Sequence, residues 1–208
     1  ILTHAGQSYG CRNRSDAAAV AAHERDVMLA FADTLRGEGL SVAEISIGST
    51  PTITAVDRLP GITEVRPGNY LFFDAFQAAI GSCTLDDVAF SVLTTVIGVY
   101  PEARRLVVDA GALALSKDPG PTHVDPDCGF GVVVAERDCR PATGLRVTSL
   151  SQEHGVLHSD RPLDSAWQPG TRLRIMPNHS CLSAACFDAY QVVRGAEIVD
   201  EWHPVRGW

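Results

Sequence analysis

The chain reads as two kinds of structure in succession, an α/β segment over residues 1–82 and an antiparallel β segment over residues 83–208. Two observations predict this. Short apolar runs alternate with helical stretches over the first 75 residues. That strand–helix–strand order calls for right-handed βα units in a parallel sheet or barrel. From about residue 83, strand-like runs follow one another with only Pro-, Gly- and Asp-rich turns between them.

The elements follow in order. Ile1 to His4 is a short apolar run that leads into the turn-rich Ala5-Gly6-Gln7-Ser8-Tyr9-Gly10. A long helix starts near Ser15 and Asp16, where Ser15 caps the first turn and Asp16 suits the positive end of the dipole. Val20, Val27, Met28, Phe31 and Leu35 fall at offsets 0, 7, 8, 11 and 15 and mark its buried face. Gly37 and Gly39 end it. Val42 to Ile47 is a strand, and Gly48 to Thr52 turns into a short helical stretch. Ile62 to Phe73 is a second extended run, broken at Pro67-Gly68. In the β segment the runs are Val88–Val99, Arg105–Asp109, Gly131–Ala135, Leu145–Ser149 and Leu173–Met176. Gln191–Arg194 and Ala196–Trp202 make a closing hairpin around Gly195.

Composition removes several function classes. The 208 residues are 45% hydrophobic and 20% charged, which is globular rather than disordered. Seventeen basic against twenty-five acidic residues give 17 − 25 = −8, with the two signs interspersed. A nucleic-acid backbone needs clustered Lys and Arg, so nucleic acid is excluded as a partner. No apolar run approaches the roughly 20 residues of a membrane-spanning helix, so no membrane role is expected. Six cysteines with no CxxC pair imply a reduced, cytoplasmic protein with mostly buried thiols. Of the seventeen basic residues sixteen are Arg, and Lys117 is the one lysine.

Four motifs carry chemistry. In Gly48-Ser49-Thr50-Pro51-Thr52 a glycine permits close backbone approach, hydroxyls can cap, and Pro51 suits the first helical turn. Free N–H groups beside Ser and Thr hydroxyls make a phosphate cradle, and the same residues also serve plain helix capping. Arg66-Pro67-Gly68-Asn69-Tyr70 follows the next extended run; it offers amides to an anion and a permanent charge, or is a turn with a surface arginine. Two such loops at successive strand ends share the carboxyl edge of one sheet. His179-Ser180-Cys181 places imidazole and thiol at i and i+2, which on an extended segment project to one side. That donor pair favours zinc, although two ligands fall short of the usual three or four, and a buried pair that never meets metal has the same pattern. Cys186 is a possible third donor or a small packed hydrophobe. Finally, His154 in Gln152-Glu153-His154-Gly155 is a candidate acid–base group or part of a solvated turn.

Together with Thr3-His4-Ala5-Gly6-Gln7-Ser8-Tyr9 and Val108-Asp109-Ala110-Gly111, these motifs occur in an order that resembles the D-threonine aldolase/D-serine dehydratase family. Its members are pyridoxal-phosphate enzymes of the alanine-racemase fold type. The resemblance covers nearly the whole chain and matches the C-terminal portion of the family. It implies the later βα units of a (β/α)8 barrel followed by an antiparallel β domain. It assigns the cofactor phosphate to Ser49, Thr50, Gly68 and Asn69, with Tyr70 nearby, and brings Arg66 to the pyridine ring. His4 and Tyr9 would lie beside the ring or substrate, and His179 and Cys181 would hold zinc. In this family a His-x-Cys pair accompanies zinc and D-serine dehydratase, whereas His-x-Asp accompanies aldolases with manganese or magnesium.

The implied reaction is loss of water from a β-hydroxy D-amino acid, D-serine giving pyruvate and ammonia, in a homodimer. The family's Schiff-base lysine lies on an earlier strand, and Lys117 matches a surface lysine rather than that residue. The expectation is therefore a piece of a larger enzyme, inactive without the upstream lysine segment. The alternatives are a D-threonine aldolase and a non-catalytic binding domain of the same fold.

Overall fold

The computed structural model describes residues 1–205 and divides into two compact units. One comprises Ile1–Ala89 with His123–Pro126; the other comprises Phe90–Thr122 and the chain from Asp127 on. Among the described residues no helix is long and apolar enough to cross a membrane.

In the first unit, helix α1 (Arg14–Gly37) is capped by Asn13 rather than Ser15, Asn13 Oδ1 accepting the Asp16 N–H at 2.9 Å. Its buried stripe is Ala17, Ala21, Glu24, Met28 and Ala32, steps of four, three, four and four that follow the helical period. Of the face expected from bulk, Met28 is buried, but Val27 and Phe31 are each 50% exposed. Alanines let the helix approach closely, so the small residues face inward and the bulky ones fall on the neighbouring face.

Three parallel segments follow one another. Leu2 bridges Ser46, and β1 (Ser46–Ile47) pairs with β2 (Glu64–Val65) in the register Ser46–Glu64 and Ile47–Val65. The longer strands expected over 42–47 and 62–73 shrink to these pairs of residues. Past β2 the backbone breaks at Pro67-Gly68 and winds into a 3₁₀ turn over Asn69–Leu71. Helix α2 (Thr50–Ala55) connects β1 to β2, and α3 (Ala75–Ala79) closes the run. Met28, Ala32, Ile45 and Ile47 form the apolar cluster of this unit, with Leu29, Val42, Leu59 and Ile62 packed against it.

The second unit is built on a closed antiparallel barrel. Its strands are β3 (Val92–Tyr100), β4 (Arg105–Val108), β5 (Val132–Ala135), β6 (Pro141–Leu150), β7 (Gly155–Ser159) and β8 (Arg172–Met176), in the order β3-β4-β7-β6-β5-β8. Closure pairs every strand on both sides and removes exposed edges. Alternation is clean along β3, where Val92, Thr94 and Val96 are buried and Leu93 and Ile97 exposed. Strand β7 goes unseen in the sequence because His158 and Ser159 interrupt its short apolar run. Helices α4 (Ala112–Leu115) and α5 (Ser180–Ala184) decorate the barrel chain. The expected hairpin forms from β9 (Tyr190–Arg194) and β10 (Glu197–Trp202), with Gly195 at φ 63°.

Among the described residues no cysteine is joined in a disulfide, and only Cys11 is buried, while Cys139, Cys181 and Cys186 are exposed. The expectation of mostly buried thiols is corrected accordingly. These cysteines lie in loops and helix ends, where apolar character alone does not draw a residue inward.

Candidate functional site

At the carboxyl ends of the three parallel segments, the loops of the first unit are tied to one another. His4 Nδ1 meets the Gly48 carbonyl at 3.2 Å, and the Ser8 hydroxyl pairs with the Ser49 hydroxyl at 2.8 Å. The Tyr70 N–H donates to Thr50 Oγ1 at 3.2 Å. Arg66 Nε donates to Ser46 Oγ at 2.7 Å, and its other arm donates to the Thr3 carbonyl. Five residues expected from three separate motifs therefore share one sheet edge and hold one another in place. Tyr9 stacks near Phe76, ring centroids 5.7 Å apart. Asn69 is buried, and its amide donates to Asp74.

The turn into α2 is capped at its start and held from behind. Gly48 sits at φ 107°, in the left-handed region that glycine adopts freely. Its N–H donates to the buried Glu24 carboxylate at 3.3 Å, which fixes the turn from behind. Ser49 caps α2: its hydroxyl accepts the Thr52 N–H at 3.4 Å, and the Thr52 hydroxyl accepts the Ser49 N–H at 2.9 Å, a reciprocal box. Ile53 N–H goes to the Ser49 carbonyl, and Pro51 has no N–H. Thr50 N–H is the first-turn donor that neither cap nor helix uses. A Cβ on Gly68 would meet no atom within 4 Å, so the second loop leaves room before its backbone. The residues present fit a phosphate.

In the second unit, His179 precedes α5 as its N-cap, and Cys181 is the second residue of that helix. The extended segment expected over 179–181 is thus replaced by a helix start, because Ser180, Cys181 and Leu182 continue into helical backbone. The two side chains nevertheless meet: their hydrogen bond pushes the His179 imidazole up to about 9, against the lowering effect of burial, and the Asp118 carboxylate adds to the rise. His179 Nδ1 donates to Asp118 across 61 residues of chain. An imidazole beside a thiol, with the second ring nitrogen held by a carboxylate, suits a zinc-like ion. Among the described residues no three His, Cys, Asp or Glu side chains are placed to hold one metal ion together, and Asp118 here lies behind the imidazole. Cys186 is exposed and donates to the Leu182 carbonyl at 3.3 Å. His154 is exposed on the turn between β6 and β7; its carbonyl accepts the Ser151 N–H at 2.9 Å. Lys117 is exposed.

Three participants escaped the sequence reading. Ser8 lay inside a quoted motif with no role. Glu24 belongs to no motif, and it turns inward because it lies on the alanine stripe of α1. Asp118 has no spacing relation to His179 that a linear pattern could carry.

A protein-family model described as "Putative serine dehydratase domain" matches residues 89–193. The chain belongs to the serine dehydratase domain family. Among curated relatives of this family member, the D-threo-3-hydroxyaspartate dehydratase of Delftia sp. is 41% identical over all of this chain and 56% of its own length. A D-serine dehydratase of Dictyostelium discoideum is 38% identical over 100% and 54%. The chain thus spans about half the length of the curated relatives it matches.

The solved Delftia enzyme superposes with a TM-score of 0.92, covering 100% of this chain and 56% of that one. An alanine-racemase-like protein from Idiomarina loihiensis gives 0.88 at 38% identity, covering 100% and 56%. A D-threonine aldolase from Filomicrobium marinum gives 0.76 at 26% identity, covering 97% and 52%. Two further D-threo-3-hydroxyaspartate dehydratase structures carry alanine in place of a histidine and of a cysteine two positions later, the cysteine variant in a metal-free form.

Proposed function

We propose that this serine dehydratase family member contributes to a pyridoxal-phosphate- and zinc-dependent lyase acting on β-hydroxy D-amino acids, with D-serine giving pyruvate and ammonia. The observation that carries the reading is the His179–Cys181 pair with Asp118 on the imidazole. It is supported by relatives named as dehydratases of D-threo-3-hydroxyaspartate and D-serine. It is supported also by the D-threo-3-hydroxyaspartate dehydratase variants, whose histidine and cysteine have the same two-residue spacing.

When bound, pyridoxal phosphate supplies an electron sink for loss of the α-proton, and zinc supplies a Lewis acid toward the β-hydroxyl. Ser49, Thr50, Gly68 and Asn69 would hold the phosphate, Tyr70 beside them. Arg66, its guanidinium fixed by Ser46 and the Thr3 carbonyl, would bring a permanent positive charge toward the ring. His4 and Tyr9 would flank the ring or substrate. His179 and Cys181 would hold the metal. His154, open to solvent, can exchange a proton with water. Cysteines outside disulfides suit a reducing cytoplasm, and a homodimer is the assembly the family resemblance implies.

The test offers D-serine, D-threo-3-hydroxyaspartate and D-threonine to the full-length protein supplied with both cofactors. Formation of 2-oxo acid and ammonia from the first two is expected. Glycine and acetaldehyde from D-threonine would make it an aldolase instead. A protein that develops no visible cofactor band and turns over none of the three would be a binding domain.

A further inference from the structure

The chain between α4 and Gly120 has a geometry that the reaction chemistry so far leaves unused. Ser116, the residue that ends α4, adopts φ 62°, a left-handed conformation that costs a non-glycine residue about 1 kcal/mol or more. Its N–H still reaches the Ala112 carbonyl at 2.9 Å, and its hydroxyl accepts the Asp118 N–H at 3.2 Å. The reversal turns the chain so that the Asp118 carboxylate meets His179 Nδ1.

The same segment is clamped at both ends. Ala112 and Leu113 donate to the Ser151 and Gln152 carbonyls at 2.8 and 3.2 Å. The fully buried Ser183 of α5 donates its hydroxyl to the Ala114 carbonyl. Two separate side-chain bonds, Ser183 to Ala114 and His179 to Asp118, therefore join the 112–118 segment to the 179–184 segment. A solvent-exposed ion pair needs no such framing.

We propose that Asp118 is the positioning residue of the metal pair: it takes the Nδ1 proton of His179, sets the ring plane, and leaves Nε2 as the nitrogen available to the metal. This rests on reading His179 and Cys181 as metal donors. A carboxylate behind a ligating imidazole fixes its tautomer and strengthens it as a donor, and losing such a partner weakens metal binding by about 10- to 100-fold. Asp118 itself does not touch the metal.

The experiment measures zinc dissociation constants by competition with a chromogenic chelator, in the full-length protein and its Asp118→Ala, Asp118→Asn and His179→Ala variants. Nitrogen-15 spectra of the zinc-loaded imidazoles are recorded beside them. Asp118→Ala is expected to bind zinc about 10- to 100-fold more weakly. Asp118→Asn, whose amide oxygen still accepts the proton, should recover part of that loss, and His179 should carry its proton on Nδ1. Where the alanine variant folds poorly by circular dichroism, the asparagine variant and the wild-type tautomer decide the matter. Zinc binding unchanged in both Asp118 variants but lost in His179→Ala overturns the role of Asp118 alone, as does a His179 protonated on Nε2. Zinc binding that survives His179→Ala overturns the metal reading, and this inference with it.

Discussion

Gly111 has no room for a side chain: a Cβ there would stand 2.4 Å from the His154 nitrogen and 2.5 Å from the Gln152 oxygen, all of it backbone. Gly111→Ala must push the 151–154 turn off α4, and urea denaturation should show a loss of about 2–3 kcal/mol. Cys181→Asp exchanges a soft donor for a hard one, so metal analysis after growth in mixed metals should shift from zinc toward manganese or magnesium. Cys83 offers a pH test. Burial, then the Asp87 and Asp74 carboxylates, push its thiol up to about 12. A thiol held neutral in the fold binds its proton more tightly than in the unfolded chain. Its contribution to stability is therefore complete below the ordinary thiol range near pH ~8.5 and is lost as pH rises toward the folded value. Denaturation midpoints from pH 8 to 10.5 should fall for the wild type more than for Cys83→Ala.

At the scale of elements, Ser49 closes the box at the start of α2 and also meets the Ser8 hydroxyl. Ser49→Ala should cost about 1–2 kcal/mol in thermal or urea unfolding. It should also loosen the Ser8 loop against the Gly48–Thr52 turn, read as faster hydrogen exchange at Cys11 N–H, which now bonds the Ser8 carbonyl. The site's local chemistry was legible in the sequence wherever residue type and spacing are enough: the Ser49 cap, the His179–Cys181 pair, and the change from α/β to β grammar. What escaped it depends on long-range approach. Val27 and Phe31 looked like core because they are large, yet α1 seats itself on alanines and Met28. Strand β7 needed its barrel neighbours β4 and β6 to be recognised. Asp118 needed the Ser116 reversal, which no propensity scale anticipates for a serine.

For the molecule as a whole, the chain leaves the first unit at Ala89, returns for His123–Pro126, and leaves again. His123 is more than a visitor there: its Nε2 donates to the Cys11 carbonyl at 3.0 Å, and its ring lies 6.0 Å from that of Phe76, the partner of Tyr9. Residues 1–89 expressed alone should therefore melt several degrees below the same segment with 123–126 tethered back by a flexible linker, by differential scanning calorimetry. A gene shuffled at a single crossover would separate a clasp from what it fastens. Recombination among relatives is then constrained to exchange both stretches together, so that a four-residue insert and the loops it secures are inherited as one unit.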